Sequence, residues 1–121
     1  MVIDNCTPMA YYNLEFIETS IFTRQISSLV SDNSYAELQE ELIRNAKKGN
    51  LIVGGGGIRK IRWGCDNHRG KSGGIRVIYY FKEKTNQFLM LFAYPKNVAD
   101  NLTDKQVSVL KELAKGFHDE R

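Results

Sequence analysis

Lys60 and Arg62 alternate with Ile61 and Trp63 in the stretch IRKIRW, Ile58 to Trp63. Neighbouring side chains of a β-strand point to opposite faces, so Ile61 and Trp63 would face a core and Lys60 and Arg62 the other side. Arg59 falls with the apolar residues, and its expected place is the strand's exposed edge, snorkelling towards solvent. Downstream, GIRVIYYF puts Arg76, Ile78 and Tyr80 on one side of a second strand, and Lys96 follows Tyr94 at the end of a third, FLMLFAY. Four cations and one or two tyrosines around one sheet face suit a phosphodiester, the cations holding phosphates while bases stack on rings. Tyr79, Tyr80 and Tyr94 also read as core residues with hydrogen-bonded hydroxyls.

The charge distribution supports an anionic visitor. The 121 residues sum to +3, but the window from Gly57 to Arg76 holds six Lys/Arg (Arg59, Lys60, Arg62, Arg69, Lys71, Arg76) against one acid, Asp66. That window therefore carries +5 and the remainder −2, the footprint of a polyanion site rather than of general solubility. A solvated loop accounts for Arg69 and Lys71 but poorly for cations placed on strands.

Other chemistry finds less support. GKS at Gly70 to Ser72 lacks the P-loop glycine, because counting back five residues from Gly70 reaches Cys65, and a strand rather than a helix is expected to follow. The glycine run Gly54 to Gly57 fails the dinucleotide pattern, since Arg59 or Lys60 stands at its third glycine position. It reads instead as a flexible lead into the sheet or a place of close approach to the backbone. Two cysteines, Cys6 and Cys65, and two histidines, His68 and His118, fall in no metal-ligand spacing. No metal or cofactor is expected. Glu37, Glu40 and Glu41 read as a solvated helix face, and His68, in the basic loop, is a weaker candidate acid or base.

The elements that must position these residues follow from periodicity. One globular domain over residues 10–121 is expected after a loose tail at 1–9. No segment has the length to span a bilayer and no signal peptide is read, which makes a cytoplasmic location the expectation. YYNLEFI, Tyr11 to Ile17, alternates as a half-buried strand. Thr19 or Ser20 then caps a helix through Ile21, Phe22, Ile26, Leu29 and Val30. Ser34 to Glu37 has the capping-box form for a second helix that stops at Gly49. The strands of the basic region come next, the last two joined by KEKTNQ as an antiparallel hairpin, with GCDNHRGKSG, residues 64–73, as a flap candidate. TDKQ, Thr103 to Gln106, caps a final helix with Val107, Leu110, Leu113, Ala114 and Phe117 on one face. The order β-α-α-β-β-β-α predicts an α+β domain, its helices on one face of a mainly antiparallel sheet and the other face left for function.

In order and spacing, RKIRW, GGIRVIYYF and FLMLFAYPKN before a capped final helix resemble the RelE/HigB group of type II toxin–antitoxin toxins, over roughly Tyr11 to Phe117. The resemblance implies a ribosome-dependent mRNA endonuclease acting in the ribosomal A site, neutralised by a cognate antitoxin. It matches Lys60 and Arg62 to paired cations of the central strand, Arg76 to an arginine of the next, and Lys96 in YPKN to the lysine of a Y-G-K-N-E type segment. Arg59, Arg69, Lys71 and Tyr80 would add RNA contacts. Pro95 and Val98 depart from that segment, and Thr103 and Asn97 stand where some relatives have a tyrosine and an arginine. Duties of those residues would pass to Tyr94 or His68. The implied reaction is attack of the RNA 2′-hydroxyl on its 3′-phosphate, with Arg62 and Arg76 holding the charge of the phosphorane and Lys60 or Lys96 as base. Two alternatives use similar features: a ParE-like gyrase poison, and an RNA-binding module without catalysis.

Overall fold

Burial on both sides of the central strands organises the molecule. The computed structural model describes residues 14–64, 74–96 and 101–119, with no side-chain description for 118 and 119. Among these residues five strands, β1 (Glu15–Glu18), β2 (Asn50–Leu51), β3 (Arg59–Trp63), β4 (Ile75–Lys82) and β5 (Gln87–Pro95), form one sheet in the order β1-β5-β4-β3-β2. All pairs are antiparallel except β1 with β5. Among the described residues three helices accompany it, α1 (Ser20–Leu29), α2 (Asp32–Arg44) and α3 (Asp104–Asp119). The α+β architecture is the expected one, with β2 as an additional short strand at the edge. Among the described residues no helix is long and apolar enough to cross a membrane. The tail at 1–9, the beginning of the first predicted strand and the flap at 65–73 lie outside the described residues.

Helices α1 and α2 pack on one face, where Phe22, Ile26, Leu38 and Leu42 meet Ile61, Val77, Tyr79, Phe88 and Met90. The third helix departs from expectation. Leu110 and Ala114 of α3 belong to a second cluster with Ile58, Ile78, Leu89, Leu91 and Tyr94, with Phe117 against it, so α3 covers part of the opposite face. The physical reason lies in β4 and β5, whose apolar runs are nearly continuous rather than alternating. Such runs need burial on both faces.

The caps explain the helix boundaries. Thr19 accepts from the Phe22 amide through its side chain, as predicted for that position. The second helix starts three residues earlier than the SYAE motif suggests, because the Ser31 hydroxyl accepts from the Ser34 amide. Ser34 is buried in the first turn instead, where its carbonyl and hydroxyl oxygens both accept from the Trp63 indole at 3.2 Å. For α3 the capping box forms reciprocally: the Thr103 amide donates to the Gln106 side chain and the Gln106 amide to the Thr103 hydroxyl.

Two phenols, one half-buried and one fully buried, join the helical hairpin to the sheet. Tyr35 of α2 donates to Glu18 of β1 at 2.7 Å, and Tyr79 of β4 donates to the Ala46 carbonyl at 2.8 Å while accepting from the Gly49 amide. Burial raises the pKa of both, and for Tyr35 the hydrogen bond to Glu18 and its charge act in the same direction. A folded-state pKa above the unfolded value of about 10 stabilises the fold fully below that pH, and this contribution is lost as pH rises above it. Unfolding free energy should therefore fall above about pH 10, by at most about 1.4 kcal/mol per pH unit for each phenol. Urea titrations from pH 8 to 11 should show a shallower decline for Tyr35→Phe than for the parent chain. Equal slopes would mean that Tyr35 ionises as freely in the fold as out of it.

Candidate functional site

On the face shared with α3, register determines which polar side chains meet. Arg62 of β3 lies directly opposite Arg76 of β4, and Arg76 directly opposite Tyr94 of β5. Ile61, Trp63, Ile75, Val77 and Ala93, which flank these residues along their strands, pack towards α1 and α2. The three side chains therefore share the α3 face in a row across the sheet, with Cβ atoms of neighbours about 5 Å apart.

A bulge makes this row possible. The β4–β5 register shifts by one between Ile78 and Tyr79, so that Tyr79 pairs with Met90 but Ile78 with Phe92. Leu91 is the extra residue, and both Leu91 and Phe92 pack on the α3 side. Without the shift, Ala93 would oppose Arg76 and Tyr94 would turn to the other face; the bulge re-aims the phenol towards the arginines. The hairpin that sets the outer register is a 3₁₀ turn, Glu83–Thr85, closed by Asn86 in the left-handed region at φ 57°.

Helix α3 packs over the part of this face that carries Ile58, Ile78, Leu89 and Leu91, and its cluster reaches Tyr94 of the row. Its end is fastened over Tyr80 and Lys82: the Phe117 ring meets Tyr80 edge-on at 6.4 Å, and the Lys82 ammonium donates to the Phe117 carbonyl at 2.9 Å. That ammonium also lies 4.9 Å from the Phe117 ring centre, a cation–π contact made by a lysine only 3% exposed. The glycine run completes the cover. Gly57, at φ 107°, lies so close to Tyr80 that a Cβ would come within 3.0 Å of its ring, and Gly56, at φ 69°, rests on the Lys111 stem. A pocket of about 330 Å³ opens here between Gly56, Tyr80, Lys111, Ala114 and Lys115.

The candidate residues therefore separate into groups. Arg62, Arg76 and Tyr94 form the row; Lys60, one step along β3 on the same face, stands beside it. The amide of Lys96 donates to the Gly74 carbonyl at 3.0 Å, fixing the exposed Lys96 next to the start of β4, at the row's end of the sheet. Tyr80 is four residues from Arg76, about 13 Å along the strand, and lies at the α3 end. Arg59 is not at an exposed edge: it is half-buried and donates to the carbonyls of Lys47 and Gly49 at 3.1 and 2.8 Å, capping the chain that leaves α2. Strand β2 lies outside β3, so the edge position expected for Arg59 is already filled. His68, Arg69 and Lys71 lie outside the described residues, as do Asn97 and Val98.

One contact had no signal in the sequence. The Lys60 ammonium donates to the Asn101 side-chain oxygen at 2.9 Å, across 41 positions of chain.

Chemically, the row is two guanidiniums of different character beside a phenol. Arg76 is 5% exposed and held within the sheet, whereas Arg62 is exposed and open to solvent. Like charges directly opposite each other on adjacent strands repel. An anion lying between them turns that repulsion into attraction, and the arginine fork suits the paired oxygens of a phosphate. The family model described as the RelE toxin of the RelE / RelB toxin–antitoxin system matches residues 16–120, which includes every element named above except the first residue of β1.

Proposed function

This chain belongs to the RelE toxin family, a toxin of a toxin–antitoxin pair with a cognate antitoxin as its partner, and on that premise we propose that it is an endoribonuclease cutting mRNA in the ribosomal A site. The observation that carries the reading is the cross-strand row Arg62–Arg76–Tyr94, two cations opposed where an anion can lie between them.

The reaction uses the RNA's own nucleophile. The 2′-oxygen attacks the adjacent phosphorus, the bond to the 5′-oxygen breaks, and a 2′,3′-cyclic phosphate and a 5′-hydroxyl result. The 2′-hydroxyl proton is removed and the departing oxygen takes one up, so the step is neutral in protons overall. Arg76 is pre-set within the sheet and holds the charge that grows on the phosphorane oxygens; preorganised donors of this kind stabilise a transition state most effectively. Arg62, exposed, grips the incoming phosphate. Lys60 adds a third positive charge, and proton transfer falls to the groups nearest the row, Tyr94, Lys60 and Lys96. The ribosome supplies orientation of the message, a contribution of up to roughly 7 to 11 kcal/mol for well-aligned reactants.

The test is to map cuts in a message incubated with the protein, with and without ribosomes, and to identify the new ends. Cuts confined to ribosome-bound message, with 5′-hydroxyl and cyclic phosphate ends, are expected. An intact message together with blocked DNA supercoiling would establish the gyrase reading instead, and salt-sensitive binding without product the non-catalytic one.

A further inference from the structure

We propose that Asn101 is a positioning residue for this cleavage, holding the Lys60 ammonium over the sheet beside the Arg62–Arg76–Tyr94 row; the inference rests on the nuclease reading above. The observation is the 2.9 Å hydrogen bond from Lys60 Nζ to Asn101 Oδ1, an ordinary length for a nitrogen donor to an oxygen. Lys60 is borne by β3, and only the two-residue β2 lies between β3 and the edge of the sheet. A four-carbon stem has more than one direction open to it there, and a fixed acceptor selects among them. Asn101 belongs to the segment joining β5 to α3, and an acceptor in that segment draws the ammonium inward, towards the strands that carry Arg76 and Tyr94.

Asn101 is itself held. Leu102 packs against the cluster under α3, and Thr103 is fixed by both bonds of the capping box. The acceptor therefore stands on the two residues that seat the helix, not on a free loop tip. Its chemistry also fits the task. A carboxylate would hold a lysine as well but cancel its charge, whereas the neutral amide oxygen fixes the direction and leaves the positive charge for a phosphate.

The test is a double-mutant cycle read by cleavage of a ribosome-bound message. Asn101→Ala should lower the rate at saturating ribosomes about tenfold, the order expected for one hydrogen bond to a charged group, with the half-saturating concentration unchanged. Asn101→Gln, which keeps a neutral carbonyl, should restore most of the rate, and Asn101→Asp should not, because it keeps the contact but offsets the charge. In a Lys60→Met background, Asn101→Ala should change the residual rate less than twofold, since contacting residues are non-additive. Equal losses in both backgrounds, or a parent-like rate for Asn101→Ala, would overturn the proposal while leaving the nuclease reading intact. Absence of cleavage by the parent chain itself overturns the nuclease reading, and the positioning role with it. Thermal unfolding of each variant separates these outcomes from simple loss of fold.

Discussion

Replacing Arg76 by methionine is expected to lower single-turnover cleavage of ribosome-bound message by about 10² to 10³, the loss found when one preorganised donor is removed from a transition state. Stability should change much less than activity. Arg76 is 5% exposed and lies directly opposite Arg62, so the fold carries both a desolvated cation and a like-charge neighbour. Methionine removes that desolvation and repulsion together with the bonds the guanidinium makes within the sheet, and it fills the space left by the stem. A large loss of activity with a small change in stability is the signature of a residue kept for chemistry. Arg76→Lys should recover little, because an ammonium lacks the planar fork that spans two phosphate oxygens. A message carrying a single 2′-deoxy nucleotide at the cut should resist the parent chain at that bond only. If Arg76→Met instead lost stability and activity in proportion, Arg76 would be a structural residue and the row would need another explanation.

Local signals in the chain were enough for most of the elements. Alternation in RKIRW showed which side of β3 was cationic, and the structure retains that division with Ile61 and Trp63 in the core. The TDKQ cap and the KEKTNQ turn were equally plain, since capping boxes and hairpin turns are written in four to six adjacent residues. Three features were not visible in this way. The start of α2 moved from Ser34 to Ser31 because Ser34 is taken by the Trp63 indole, a contact between residues 29 apart. The face chosen by α3 depends on both sides of β4 and β5 being apolar, and periodicity alone does not say which helix covers which side. Tyr94 reaches the arginine row only through the bulge at Leu91, a one-residue shift with no signature in FLMLFAY.

For the candidate site the same division holds. Residue type and alternation pointed to Lys60, Arg62 and Arg76, and strand pairing brings them to one face. Type drew in Arg59, and type with alternation drew in Tyr80; the fold gives both of them other contacts. Arg59 satisfies two carbonyls that follow α2, and Tyr80 lies beneath Gly57 and against Phe117. A cation or ring is a candidate by chemistry, but its neighbours decide its use. Asn101 shows the converse: a side chain with no distinguishing pattern becomes relevant through what it touches.

The frame behind the row yields the second large effect. Phe88→Ala is expected to cost about 3 to 5 kcal/mol, the usual range for deleting a buried aromatic ring, against a total of roughly 5 to 15 kcal/mol for a domain of ordinary stability. Phe88 is fully buried on β5, between β1 and β4, and three rings converge on it. Phe16 stacks at 4.6 Å and 7°, Phe81 lies at 4.7 Å and Tyr79 at 6.1 Å. Phe16 and Phe81 are its direct partners on the two neighbouring strands, so backbone ladders hold both at their spacing. Such a site cannot close around the missing ring, and the cavity term stays near its maximum. Each lost ring pair adds to the burial term. Urea denaturation should show the midpoint falling with an unchanged slope, and Phe88→Leu should retain a good part of the loss. Because Phe88 faces α1 and α2 while the row faces α3, cleavage per folded molecule should be preserved well below the variant's melting temperature. A loss under about 1 kcal/mol, smaller than a typical core truncation, would show that the strands rearrange around the gap, and the register that aligns Arg62, Arg76 and Tyr94 would then be less fixed than the ring stack implies.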